Sequence, residues 1–131
     1  MNKKILGTAA FLGMFSVILG AYGAHGLEKI IDSESVKNFN TAVEYQMYHA
    51  LLLMMVGLTN LLSAKTKQII LCLVVLGVLF FSGSIYGLST NELSSFDFKT
   101  IAFITPIGGL LLILSWALLF IKFIQLKKNN L

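Results

Sequence analysis

The chain has 131 residues, 56% of them hydrophobic and 12% charged, with a net charge of +4 and a mean hydropathy of +0.83. Its length fits one domain. A soluble domain of this size covers its core with charge on about a quarter of its residues, twice what is present here, so a water-facing shell is excluded and lipid is the implied solvent.

Lys3 and Lys4 precede the first apolar block, Ile5 to about Ala24. A helix needs about 20 such residues to cross the ~30 Å hydrocarbon layer. Ala21-Tyr22-Gly23 has the small residues of a signal-peptide cleavage site. The block is long for a signal peptide, however, and glycines continue past the supposed cut, so an uncleaved span is expected. The next connection is the longest. In it, Asp32 or Ser33 can cap a helix, and Val36, Phe39, Asn40, Val43 and Met47 recur at helical spacing. Glu34, Lys37 and Asn38 occupy the opposite face. This pattern predicts an amphipathic helix at the membrane surface, running into the second span.

The second span runs from about Tyr45 to Leu62, and a short turn, Lys65–Gln68, makes the third (Ile69 to Leu88) its antiparallel neighbour. A polar turn, Ser89 to Thr100, leads to the fourth, Ile101 to about Ile121, before Lys122, Lys127 and Lys128. Only helices and closed barrels satisfy their backbone polar groups in lipid, and no block alternates apolar with polar residues. The expected fold is therefore all-α, one transmembrane domain over residues 1–131: a bundle of four transmembrane helices with an interfacial helix between spans 1 and 2.

Lysines retained in the cytoplasm set orientation. Both ends and the second loop hold seven of the ten basic residues and no acid. The other two loops hold Lys29, Lys37 and Lys99 with all six acids: Glu28, Asp32, Glu34, Glu44, Glu92 and Asp97. Both termini are predicted to be cytoplasmic. Tyr22, Tyr45, Tyr48 and Tyr86 then fall near the outer boundary, where amphipathic rings are comfortable, and Trp116 falls toward the inner half of the fourth span. This distribution accounts for the positive charge without a nucleic-acid partner.

Several polar residues share the outer halves of the spans. They are His25, then His49 with Tyr45 at i, i+4 and with Gln46 and Tyr48 beside it, then Ser82, Ser84 and Thr105. Their expected convergence at one depth would make an outward-facing polar site for a proton, a metal ion or a lipid headgroup, with Glu28 or Glu44 as carboxylate partners. The plainer reading is that the histidines cap a helix or bond a tyrosine or carbonyl. Two histidines without a third close-spaced ligand fall short of a metal signature. No metal or other cofactor is expected, since CxxC, HExxH, Walker A and GxGxxG patterns are absent. The lone Cys72 excludes an intrachain disulfide and reads as a small packing residue.

Gly20, Gly23 and Gly26 make the end of the first span almost bare, and Gly83 and Gly87 form a GxxxG pair on the third. Small residues let helices approach closely in lipid. Packing within the monomer is the plain reading and dimerisation through Gly83 and Gly87 the sharper one. Thr105-Pro106 either starts a helix or kinks a continuous one. Gly108 and Gly109 weaken the same stretch, and a local kink is expected.

Gly20-Ala21-Tyr22-Gly23-Ala24-His25-Gly26-Leu27, Tyr45-Gln46-Met47-Tyr48-His49-Ala50-Leu51, Phe81-Ser82-Gly83-Ser84-Ile85-Tyr86 and Thr105-Pro106-Ile107-Gly108-Gly109 together resemble the motifs of the YgdD/YwdK-like group. These are small bacterial membrane proteins catalogued as a domain of unknown function, with a mitochondrial relative in animals. The resemblance covers nearly the whole chain. It implies an uncleaved four-span protein of the bacterial inner or plasma membrane and supplies no activity, substrate or cofactor. The leading functional expectation is a structural or accessory protein that binds lipid, a membrane-protein partner or a second copy of itself at its outer face. The alternative is a small proton-linked transporter using His25, His49 and Tyr45. A membrane enzyme pairing His49 with Ser82 or Ser84 comes last.

Overall fold

The computed structural model describes residues 2–127; Lys128, counted among the closing lysines, lies outside them. Four long helices follow the apolar blocks: α1 Asn2–His25, α2 Ser33–Leu58, α3 Ala64–Ser89 and α4 Ile104–Ile124. At 1.5 Å per residue they are about 31–39 Å long, enough to cross a hydrocarbon layer of ~30 Å. Asn2–Lys29, Ala64–Ser89 and Ile104–Ile124 are apolar enough to do so by composition as well as length. The exception is α2, whose first half carries Glu34, Lys37 and Glu44. It is held in place by its neighbours instead. Consecutive helices run antiparallel, and the main contacts are α1 with α2, α2 with α3 and α3 with α4.

The helix ends have local causes. Asp32 caps α2 by accepting from the Ser35 N–H at 3.2 Å and the Ser35 hydroxyl at 2.6 Å. Those bonds hold its carboxyl below the usual carboxylate range, the side-chain bond contributing most. Ser63 caps α3 through the Thr66 N–H at 3.2 Å. The link between α2 and α3 is therefore Thr59–Ser63, earlier than the expected Lys65–Gln68 turn, and Lys65 and Lys67 lie in the first turn of α3. A lysine there opposes the helix dipole. Lys67 nevertheless is buried, donating to the Thr59 carbonyl at 2.5 Å and to Asn2 Oδ1 at 3.1 Å. One ammonium thus ties together the start of α1, the end of α2 and the start of α3.

Ile5, Leu53, Val56, Ile70, Val74 and Leu112 anchor an apolar core drawn from all four helices. Outside it, Phe11, Val17, Leu58, Leu79, Phe120 and Ile124 are all more than half exposed. In water such a belt would be a large sticky surface; in lipid it is the solvated face.

Several expectations are corrected. The amphipathic segment is no separate surface helix, because α2 is continuous from Ser33 to Leu58. Its apolar face packs inward, with Phe39 and Ala42 buried. Tyr45, Tyr48 and Glu44 therefore stand three to four turns inside α2, away from the loop end. Pro106 does not kink α4. It lies in the first turn, where the missing N–H costs no helical bond. Cys72 is exposed on the outward face of α3 and is not a packing residue.

The glycines divide differently from the expected sets. A Cβ on Gly23 would meet Phe39 at 3.1 Å, and one on Gly20 would meet Val43 at 3.4 Å, so both lie in the α1–α2 seam. Gly26, just past the end of α1, instead faces Tyr22 of that helix. Gly83 and Gly87 form no shared seam. A Cβ on Gly83 would meet only Leu79, at 3.9 Å, whereas one on Gly87 would run into the Phe98 ring. The closest helix approach falls at Gly108, where a Cβ would lie 2.6 Å from the backbone carbon of Phe80. Gly77 makes a similar approach to Leu112, and Gly57 to Leu6. Gly108 is a packing residue, while a Cβ on Gly109 would stand 3.5 Å from the Phe81 ring, in ordinary contact.

Candidate functional site

Polar side chains inside the bundle are engaged with one another or with backbone carbonyls. Gln46, buried on α2, donates to the Leu12 carbonyl of α1 at 2.9 Å and accepts from the Tyr86 hydroxyl of α3 at 2.6 Å. Ser82 of α3 donates to the Ala42 carbonyl of α2 at 2.8 Å. Ser84 of α3 and Thr105 of α4 share a hydroxyl–hydroxyl bond of 2.5 Å. Ser16 and Ser115 bond carbonyls of their own helices. In lipid there is no water to satisfy such groups, and each unsatisfied one costs several kcal/mol.

His49 of α2 is 3% exposed and faces Trp116 of α4. Trp116 Nε1–H can only donate, and it reaches His49 Nε2 at 3.0 Å. The proton of a neutral ring is then on Nδ1, which donates to the Tyr45 carbonyl at 2.7 Å. Both ring nitrogens are occupied. Tyr45, Phe81, Leu112 and Trp116 join His49 in an open apolar groove of about 300 Å³. The Tyr45 ring packs on Phe81, with centroids 5.1 Å apart, and on Tyr48, at 5.6 Å.

The expected single site does not assemble. His25 is exposed at the end of α1. Gly23, two residues before it, packs at the level of Phe39, ten residues or about 15 Å of helix rise from His49. Gln46 and Ser82 meet the bundle interior, Ser84 pairs with Thr105, and Tyr48 points outward at 51% exposure. No serine hydroxyl bonds His49 among the described residues. Nor do these residues contain a cluster of three or more His, Cys, Asp or Glu placed to hold a metal ion.

A different polar feature opens where the acids gather, between the start of α2 and the end of α3. Two adjoining cavities of about 270 and 150 Å³ share Ser35, Leu88 and Ser89 as walls. The larger continues along Asn38 and Thr41; the smaller is ringed by Asp32, Asn91, Glu92 and Lys99. Ser89 is 7% exposed, and its Oγ is the one buried side-chain polar atom among the described residues without a hydrogen-bond partner. The α3–α4 connection above it is tied together by its own bonds. Asp97 accepts from Asn91 Nδ2 at 3.2 Å and from the Lys99 N–H at 3.1 Å, and Asn91 Oδ1 accepts from the Phe98 N–H at 2.7 Å. Reading along the sequence missed Ser89, since a serine ending an apolar block looks like any boundary residue.

A family profile described as "Protein of unknown function (DUF423)" matches residues 19–109. The chain belongs to this family. It is 38% identical to a UPF0382 membrane protein of Haemophilus influenzae, over 88% of this chain and 90% of that one. The UPF0382 membrane protein SH2409 of Staphylococcus haemolyticus is 41% identical over 92% and 94% of the two chains. YwdK of Bacillus subtilis, also a UPF0382 membrane protein, is 36% identical over 94% and 98%. No solved structure matches the chain. These DUF423-family relatives are named as membrane proteins and nothing more, in accord with the helical bundle and its apolar belt. The matched segment contains Gln46, His49, Tyr86 and the whole cleft around Ser89, and stops before Trp116.

Proposed function

We propose that this DUF423-family protein is a non-catalytic accessory protein of the cell membrane that binds lipid or a membrane partner at its acidic end. That end faces outward, with both termini cytoplasmic, as the lysine distribution favours. One observation carries the reading. The polar groups inside the bundle are spent on internal bonds, whereas the acidic end has a cleft with a buried, unpartnered hydroxyl. Unpaired buried polar groups are rare in folded proteins and call for a specific explanation. A proton-linked pathway through His25, His49 and Tyr45 has less support, because both nitrogens of His49 are engaged and His25 stands apart.

Photo-crosslinking in native membranes tests the proposal. A benzophenone side chain is placed at Asn38 beside the cleft, or at Lys122 near the other end as a control. Lipid or protein adducts are expected at Asn38 well above those at Lys122. Equal labelling at both positions, or none at Asn38, overturns the reading.

A further inference from the structure

We propose that the cleft at the acidic end binds a small zwitterion with a primary ammonium and a phosphate, the phosphoethanolamine group, its ammonium against Asp32 and Glu92 and its phosphate toward Lys99. The inference rests on the accessory reading above and names the ligand chemistry of the same site.

The two cavities together reach the lower end of the size range of ligand pockets, about 300–1,000 Å³. Charges of both signs line the smaller one, Asp32 and Glu92 with Lys99. A ligand with both charges satisfies both walls. The ring carries two carboxylates and one ammonium, which favours a ligand whose own ammonium is unmasked. Asp32 keeps acceptor capacity after its two bonds to Ser35, because an ionised carboxylate has about four lone-pair sites. Glu92 and Lys99 sit on the connection braced by Asn91 and Asp97, so little ordering is needed on binding. Ser89 lies in the wall common to both cavities, and its buried Oγ has nothing to bond. Ile85 and Leu88 give the larger cavity an apolar floor, suited to the glycerol end of a lipid. A quaternary choline has no N–H to donate and a larger head, so it fits this ring poorly.

Native mass spectrometry of the full chain from detergent micelles tests the assignment. The probes are phosphatidylethanolamine, phosphatidylcholine and phosphatidylglycerol with identical acyl chains, and soluble phosphoethanolamine as competitor. The expected result is retention of the ethanolamine lipid by about tenfold over the other two, the scale of a charge-assisted contact. Asp32→Asn and Lys99→Gln should each reduce it by about tenfold. The first keeps the helix cap, since Asn caps as well as Asp, so loss of binding is not loss of folding. Competition by the soluble compound means that the headgroup chemistry suffices; ethanolamine-lipid retention without competition means that the ligand is the lipid. Both support the assignment. Equal retention of the three lipids, or retention unaffected by Asp32→Asn and Lys99→Gln, overturns it and leaves the accessory reading standing. That reading falls separately, on the crosslinking result.

Discussion

Gly108→Ala is the sharpest test of how the second half of the bundle is held together. The added Cβ would sit 2.6 Å from the Phe80 backbone carbon and 2.8 Å from Phe80 Cβ. The Phe81 backbone nitrogen would be closer still, so the shortfall from ordinary contact is at least about 0.8 Å, and backbone cannot rotate aside. The helices must separate, and a gap of about 0.5–1 Å forfeits a quarter to a half of each affected dispersion contact. Overpacking of this kind costs about 1–3 kcal/mol. Replacing a mid-helix glycine by alanine returns about 0.5–1 kcal/mol, leaving a net loss of about 0.5–2 kcal/mol. Gly109→Ala is the internal control. Its Cβ would stand at 3.5 Å from the Phe81 ring, so it should gain about 0.5–1 kcal/mol from the same backbone effect. Reversible unfolding in mixed micelles, followed by circular dichroism, measures both variants. Equal stability of the two, or a larger loss at Gly109, refutes the close-approach argument.

Three other outcomes follow from the bonds described. His49→Phe leaves the Trp116 indole N–H without its acceptor and should cost about 0.6–1.7 kcal/mol, the range for side-chain bonds in lipid, measured by the same unfolding assay. Lys67→Met keeps the bulk but strands the Thr59 carbonyl, and should cost about 1.5–3 kcal/mol. Hydrogen exchange should quicken at the start of α1, where Asn2 loses its partner. The Asp32 cap should fail in acid. Its folded value is depressed, so its contribution is full above the unfolded value of ~3.9 and is lost as pH falls from there through the lowered one. Asp32→Asn should lack this acid-sensitive component of the melting temperature, and identical acid limbs in the two proteins would contradict the assignment.

How far the sequence reading reached depended on the distance over which each signal acts. Apolar run length is local, and it located α1, α3 and α4 to within a few residues. The Asp32 cap was legible for the same reason. For α2, spacing alone did not say what its apolar stripe packs against. Val36, Phe39 and Val43 repeat at helical intervals whether they face lipid headgroups or α1, and only packing shows that Phe39 is buried. The polar side chains were individually visible, but their partners lie 34 to 67 residues away: Gln46 on Leu12, Tyr86 on Gln46, Trp116 on His49. Equal depth was therefore taken for proximity, which the vertical offset of His25 from His49 refutes. Glycine spacing misled in a similar way, since Gly83 and Gly87 sit one turn apart yet meet different surroundings, while the closest helix contact belongs to Gly108.

The three-way attachment of Gln46 has a consequence for how the protein is made. Its side chain is satisfied only when α1 offers the Leu12 carbonyl and α3 offers the Tyr86 hydroxyl. Of the four helices, α2 is the one whose composition does not favour lipid. A nascent chain ending after Leu58 would hold this helix in the bilayer with Gln46 half-bonded and Ser82 not yet there to bond its Ala42 carbonyl. The bonds that hold α2 in lipid are therefore complete only once α3 is beside it, with Lys67 joining the two at the turn. A chain truncated after Leu58 is therefore expected to hold α2 in the bilayer less firmly than one extending through Ser89.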